Sequence, residues 1–221
     1  MRLNAHHLTI ERGGQVILRD LSFGIQAGEA LVLTGRNGAG KTTLLRIIAG
    51  FLKPVGGAVT LDGGGPELSV GEHCHWVGHL NAVKGALTTV ENLRFWVALA
   101  GDRAAGPGHA VESQAVDSAM GRFDLTHLAD IPARVLSAGQ TRRLALARLV
   151  VVSRPIWLLD EPTVSLDAVS QRMLAEVIDA HTAGGGIVIA ATHFPLGLAR
   201  MRELALMPPL MPTLMSGADA A

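Results

Sequence analysis

The chain is poor in cysteine, in net charge and in long apolar runs. Each shortage excludes something. Its single cysteine, Cys74, rules out an intrachain disulfide and suits a reducing compartment. Lys plus Arg number 19 and Asp plus Glu number 19, so the formal net charge is zero. That balance argues against a dominant nucleic-acid-binding surface, which needs a basic excess. The richest apolar runs, residues 149–152 and 187–191, fall far short of the ~20 residues that a membrane helix requires. The apolar tail 204–215 is broken by Pro208, Pro209 and Pro212. The start, Met1-Arg2-Leu3-Asn4 followed by His6-His7, does not read as a secretory signal, so a cytosolic location is expected. What the chain does have is 221 residues, 48% of them hydrophobic and only 17% charged, which excludes disorder as the main state. The length suits one domain, or one core carrying an insertion, and buries a core without disulfides. The apolar composition leaves room for a docking surface.

Hydrophobic periodicity sketches the organisation. No internal repeat is visible. Residues 8–10 and 16–18 read as short strands around a Gly13-Gly14 turn. Residues 30–34 form an apolar strand running straight into glycines, and 42–50 then have helical spacing. Further strands are expected at 58–61, 76–78, 156–159 and 187–191. Between residues 87 and 152 helical patterns dominate, at 90–100, 111–122 and 140–151, with a loose stretch at 101–108. A helix at 170–181 joins the last two strands. The pattern implies an α/β fold: a mainly parallel sheet, an N-terminal antiparallel β part, and a helical subdomain inserted at about residues 84–150.

Two segments carry chemistry. Gly35-Arg36-Asn37-Gly38-Ala39-Gly40-Lys41-Thr42 fits G-x-x-x-x-G-K-[ST] without a mismatch, with a strand before it and a helix after. Glycines let backbone N–H groups converge on phosphate oxygens, and the helix adds its positive N-terminus. Lys41 is expected to reach the β- and γ-phosphates of ATP, and Thr42 to hold Mg²⁺, with Thr43 beside it. The apolar strand Ile156-Trp157-Leu158-Leu159 ends in Asp160-Glu161. In a parallel sheet, ligands bind beyond the carboxyl ends of the strands. Asp160 is therefore expected at the Mg²⁺, and Glu161 beside an attacking water as general base.

Leu136-Ser137-Ala138-Gly139-Gln140 resembles the signature motif, usually LSGGQ, of ABC transporter ATPase domains. It follows the helical stretch and precedes the acidic strand, as in that family. Ser165-Leu166-Asp167 resembles the D-loop, and His193 the switch histidine. The motifs run in family order from residue 35 to 193, so the resemblance covers most of the chain. It implies a P-loop NTPase core of the ABC type filling residues 1–221, with the insert 84–150 carrying the signature at its end. The implied activity is ATP hydrolysis, with Lys41, Glu161 and His193 catalytic. The implied assembly is a head-to-tail homodimer on integral membrane subunits, in which Ser137 and Gly139 reach the γ-phosphate of the partner's ATP. Finer flavour resembles one branch, the ATP-binding subunits of haem exporters in cytochrome c biogenesis. That flavour lies in LSAGQTRRLALARL (136–149), Gly78-His79, Lys84, LTTVENLRFW (87–96), DEPTVSLD (160–167) and ATHFPLGL (191–198). The implied location is peripheral, on the cytoplasmic face of a bacterial inner membrane. Two other readings stay open: the ATPase of another small transporter, and a soluble ABC ATPase outside transport.

The chain departs from the family pattern at two places. Relatives put an aromatic ring before the first glycine turn to stack on adenine. That place is taken here by Arg12, whose guanidinium plane can also stack on a base. Relatives also carry a glutamine after the strand 76–78, touching Mg²⁺ and relaying to the membrane subunit. The matching residue here is Leu80, which cannot ligate a metal, with Asn81 as the nearest amide.

His73-Cys74-His75 invites a metal or haem reading. An alternating strand would put His73 and His75 on one face and Cys74 on the other, and no haem-attachment motif is present, so packing is expected and no direct haem site. Trp157 is expected in the core. Arg142, Arg143 and Arg148 are expected on a solvated helix face.

Overall fold

The computed structural model describes residues 1–65, 67–100, 109–193, 196–198 and 201–207. The loose stretch 101–108, the tail prolines and part of the 191–198 motif lie outside them.

Two sheets form the frame. The first is antiparallel, in the order β2-β1-β4, built from β1 (Arg2–Arg12), β2 (Gln15–Gln26) and β4 (Gly56–Asp62). Arg12 pairs with Gln15 across Gly13 and Gly14, whose φ values of 58° and 77° make the left-handed two-residue turn that matches strand twist. The strands are much longer than residues 8–10 and 16–18, because register shifts along β1 break the alternation on which a sequence reading relies.

The second sheet is wholly parallel, in the order β5-β6-β7-β3-β8. It comprises β3 (Ala30–Thr34), β5 (Cys74–Val77), β6 (Ile156–Asp160), β7 (Ile187–Ala191) and β8 (Arg202–Ala205). Every residue of β6 and β7 is buried, as expected where helices and a second sheet cover both faces. Period-two alternation then divides the core. Leu31, Leu33, Ile156, Leu158, Ile187 and Ile189 pack toward α1 (Lys41–Ile48) and the antiparallel sheet. Ala30, Val32, Trp157, Leu159, Val188 and Ala190 pack toward the other helices.

Among the described residues three α-helices stand between β5 and β6: α2 (Thr89–Ala100), α3 (His109–Arg122) and α4 (Ala138–Val151). They pack on one another, and α4 also touches β5 and α5 (Ala168–Ala183). Phe123 and Leu125, fully buried just after α3, help seal that cluster. The edge strand β8 is a feature that the sequence pattern hides: Arg202–Ala205 is short and mostly exposed. Its end closes on the phosphate loop, where the Leu206 N–H donates to the Thr34 carbonyl at 2.8 Å.

Candidate active site

The site gathers at the carboxyl ends of β3, β6 and β7. The chain leaves β3 at Gly35, whose φ is +136° and whose added Cβ would lie 2.6 Å from the Leu206 carbonyl oxygen. Only glycine fits there. Arg36, Asn37 and Gly38 are exposed at the tip of the loop, while Ala39 and Gly40 turn inward beneath it. Gly40 caps α1, so the first N–H groups of that helix point at the loop. Lys41 is buried. Its ammonium donates to the carbonyls of Gly35 at 2.7 Å and Arg36 at 3.4 Å, and faces Nε2 of His193 at 3.1 Å. Thr43 is half-buried one residue beyond Thr42.

The acidic end of β6 meets this loop directly. The Thr42 hydroxyl donates to Oδ1 of Asp160 at 2.9 Å, bridging 118 residues of sequence. These two oxygens fit Mg²⁺, a hard cation that takes one or two protein oxygens and completes its shell with phosphate and water. Among the described residues no group of three or more His, Cys, Asp or Glu is arranged to hold a metal ion. Glu161 follows in a left-handed backbone conformation with φ +48°, a geometry costing a non-glycine residue roughly 1–3 kcal/mol. Its N–H donates to the Ala191 carbonyl at 2.8 Å, and its own carbonyl accepts from Arg142 at 2.8 Å. His193, just past β7, brings Nε2 within 3.6 Å of Glu161 Oε1. That distance is too long for a hydrogen bond.

Ser137 is the N-cap of α4 in a reciprocal capping box. Its hydroxyl accepts from the Gln140 N–H at 3.2 Å, and Gln140 Oε1 accepts from the Ser137 N–H at 2.8 Å. Capping uses the acceptor side of the hydroxyl, so its O–H remains available as a donor on an exposed surface. Ala138 is exposed beside it, and Leu136, Gly139 and Gln140 are half-buried. In the segment Ser165-Leu166-Asp167, Ser165 has φ +67°, Leu166 is buried, and Asp167 caps α5 by accepting from the Ser170 N–H at 2.7 Å. Arg12 is exposed at the end of β1, and β2 runs past the phosphate loop with Leu18 and Ile17 against Gly40.

Two expectations need correction. Arg142 and Arg148 do not lie on a solvated face: they are 3% and 2% exposed. Arg142 donates to carbonyl oxygens of Gly78, Asp160, Glu161 and Pro162 and to Oδ1 of Asn81. Arg148 donates to the carbonyls of Trp76 at 2.6 Å and Asn81 at 3.3 Å, and stacks over the Trp96 ring. Burial pulls the pKa of Arg142 down, opposed by the Asp160 and Glu161 carboxylates, and takes that of Arg148 to about 10. Arg143 is largely covered as well, bonding Phe123 and Asp124. The signal was present: residues 144–151 are apolar around the whole helix except Arg148, and such a helix has no wet face. Second, β5 begins at Cys74, so His73 sits in a 3-10 turn and shares no strand face with His75. Both histidines are buried, and burial pushes the Cys74 thiol up to about 12. At the place of the missing glutamine, the Asn81 amide oxygen accepts from Arg142 at 2.9 Å, while Leu80 is 81% exposed. Trp157 lies in the core as expected, stacked on His181 at 3.7 Å.

The chain is similar to known proteins over most of its length. Residues 18–164 match the ABC transporter family. The chain is 47% identical to the cytochrome c biogenesis ATP-binding export protein CcmA of Nitrobacter winogradskyi, over 92% of this chain and 97% of that one. To the CcmA of Rhizobium meliloti it is 50% identical, again over 92% and 97%. Among solved structures, an ABC transporter ATP-binding protein from Pyrococcus furiosus superposes with a TM-score of 0.79 at 23% identity, over 93% of this chain and 98% of that one. An ATP-binding cassette solved as a dimer with ADP and Pi superposes at 0.73 with 24% identity, over 87% and 88%. The chain thus belongs to the ABC transporter family, and within it to the family of the cytochrome c biogenesis ATP-binding export proteins.

Proposed function

We propose that this chain is the ATP-hydrolysing, energy-coupling subunit of a membrane complex that exports or delivers haem for c-type cytochrome biogenesis. The observation that carries the ATPase reading is the 2.9 Å bond between Thr42 and Asp160, which brings the phosphate loop and the acidic strand end into one site. The relatives' names support the haem assignment. No residue described above specifies haem.

Hydrolysis would proceed as follows. The backbone N–H groups of Gly38–Thr42 and the Lys41 ammonium hold the phosphates of ATP. Thr42 and Asp160 would hold Mg²⁺, which neutralises phosphate charge. A water oxygen attacks the γ-phosphorus, its proton passes to the Glu161 carboxylate, and the bond to the β,γ-bridging oxygen breaks, leaving ADP and phosphate. His193, between Lys41 and Glu161, orients that end of the site. Arg12 would stack on adenine.

Two copies would pair head to tail, so that the phosphate loop of each faces Ser137, Gly139 and the Ser165–Asp167 segment of the other. The exposed Ser137 hydroxyl at a helix N-terminus supports that role. The helical insert of residues 84–150 would present this signature within a single domain spanning residues 1–221. Membrane subunits would dock at the groove of 470 Å³ lined by Phe51, Trp76, Leu80, Trp96 and Leu99. Attachment would be peripheral, at the cytoplasmic face; among the described residues no helix is long and apolar enough to cross a membrane.

Affinity purification from detergent extracts tests the reading. It predicts that integral membrane proteins co-purify with the tagged chain, and that deleting its gene abolishes holo-cytochrome c while leaving apo-cytochrome made. Intact c-type cytochromes in the deletion strain would point to another small transporter. Retrieval of soluble proteins alone would point to an ABC ATPase outside transport.

A further inference from the structure

Arg142 is buried and uses its whole fork. Nε donates to the Pro162 carbonyl at 3.2 Å, Nη1 to the Gly78 carbonyl at 3.0 Å and Asn81 Oδ1 at 2.9 Å, and Nη2 to the carbonyls of Glu161 at 2.8 Å and Asp160 at 3.4 Å. Five donors meet five acceptors, the full capacity of a guanidinium. The acceptors belong to two separate segments, one just after β5 and one at the end of β6 and just beyond it. The side chain itself comes from α4, five residues beyond Ser137. One planar group thus joins the signature helix, the loop carrying Leu80 and Asn81, and the peptide of Glu161.

The peptide it grips is the strained one. Glu161 has φ +48°, and its direction of departure from the sheet follows from that angle. A left-handed non-glycine residue persists only where its surroundings over-determine it. Ala191 holds the Glu161 N–H from one side, and Arg142 holds the carbonyl from the other. We propose that Arg142 is a positioning residue for hydrolysis: it locks the Glu161 backbone in its left-handed form and makes that lock depend on Asn81 and on α4. Pressure on the exposed Leu80 moves Asn81, Asn81 moves the guanidinium, and the guanidinium moves the base. The family's missing glutamine is replaced by a two-residue linkage, Asn81 to Arg142, that reaches Glu161 instead of the metal. The inference rests on Glu161 being the general base.

The test uses the full chain with its co-purified membrane subunits and four forms: wild type, Arg142→Gln, Arg142→Lys and Glu161→Gln. ATPase kcat and KM are measured beside direct ATP binding. Arg142→Gln is expected to lower kcat by about 10–100-fold, the scale of a sub-ångström to ångström misplacement of a reacting group, with KM and ATP affinity within a few-fold. Arg142→Lys keeps the charge but loses the fork, so it is expected to bind ATP normally and to recover only part of kcat. A wild-type kcat in either variant overturns the proposal. So does loss of ATP binding in step with rate in both, because Arg142 would then merely hold the fold. Wild-type turnover by Glu161→Gln overturns the base assignment instead, whatever the arginine variants do.

Discussion

Nε2 of His193 stands 3.1 Å from Nζ of Lys41. An ammonium has donors only, so at this contact the imidazole Nε2 is the acceptor. The same Nε2 faces Glu161 Oε1 at 3.6 Å without being able to donate to it in that tautomer. The lysine thus sets the histidine's tautomer until phosphates draw the ammonium away. Nitrogen NMR of the nucleotide-free chain is expected to show an unprotonated Nε2 on His193, changing when a non-hydrolysable ATP analogue binds. A protonated Nε2 in the free chain contradicts this arrangement.

Pairing is expected to be obligatory for activity. A mixture of Lys41→Ala and Ser137→Arg chains forms hybrids in which one of the two head-to-tail sites is whole. Each variant alone is expected to be inactive, and the mixture to regain part of the wild-type ATPase rate. Folded variants that regain nothing on mixing would count against a composite site.

Asn81 and Leu80 are expected to separate cleanly. Asn81→Ala removes one acceptor of the charged Arg142 guanidinium, worth about 1.5–3 kcal/mol to the fold, while ATP affinity should change by less than about tenfold. Stimulation of the ATPase by the membrane subunits should fall much further. Leu80→Asp puts a charge into the apolar groove and is expected to weaken attachment of those subunits while the isolated chain binds ATP as before. Rates with and without the membrane subunits check both. A silent Asn81→Ala beside a Leu80→Ala that uncouples would mean that the relay runs through packing at Leu80.

Acid is expected to destabilise the fold through His75. Burial, aided by the positive charge of Arg148, takes its pKa down to about 3, against about 6.5 when unfolded. Between those values the unfolded chain binds the extra proton. Stability from this group is therefore complete above about pH 6.5 and is lost as pH falls, by at most about 1.4 kcal/mol per pH unit. Urea midpoints for wild type and His75→Gln are expected to converge toward pH 5, with wild type showing the steeper loss. Parallel pH profiles would contradict a buried neutral His75.

Much of this was legible in the residues. The strand 187–191 stands where its pattern places it, and 30–34 likewise, because strands buried on both faces read as unbroken apolar runs. The phosphate loop and Asp160-Glu161 are local motifs whose spacing is their geometry. The register of β1 and β2 was hidden, since bulges scramble period-two alternation. The edge strand β8 was hidden because it is short and mostly exposed. The roles of Arg142 and Arg148 were hidden for a different reason: their acceptors are mostly backbone carbonyls 18 to 72 residues away, and a carbonyl leaves no mark in a sequence.

The central claim is that this site hydrolyses ATP with Glu161 as its base. The most direct measurement is ATP turnover by Glu161→Gln beside ATP binding by the same variant. A positioned base is worth ~10²–10⁴-fold, so turnover should fall by that order while ATP stays bound and paired chains accumulate. Turnover within a few-fold of wild type would contradict the account.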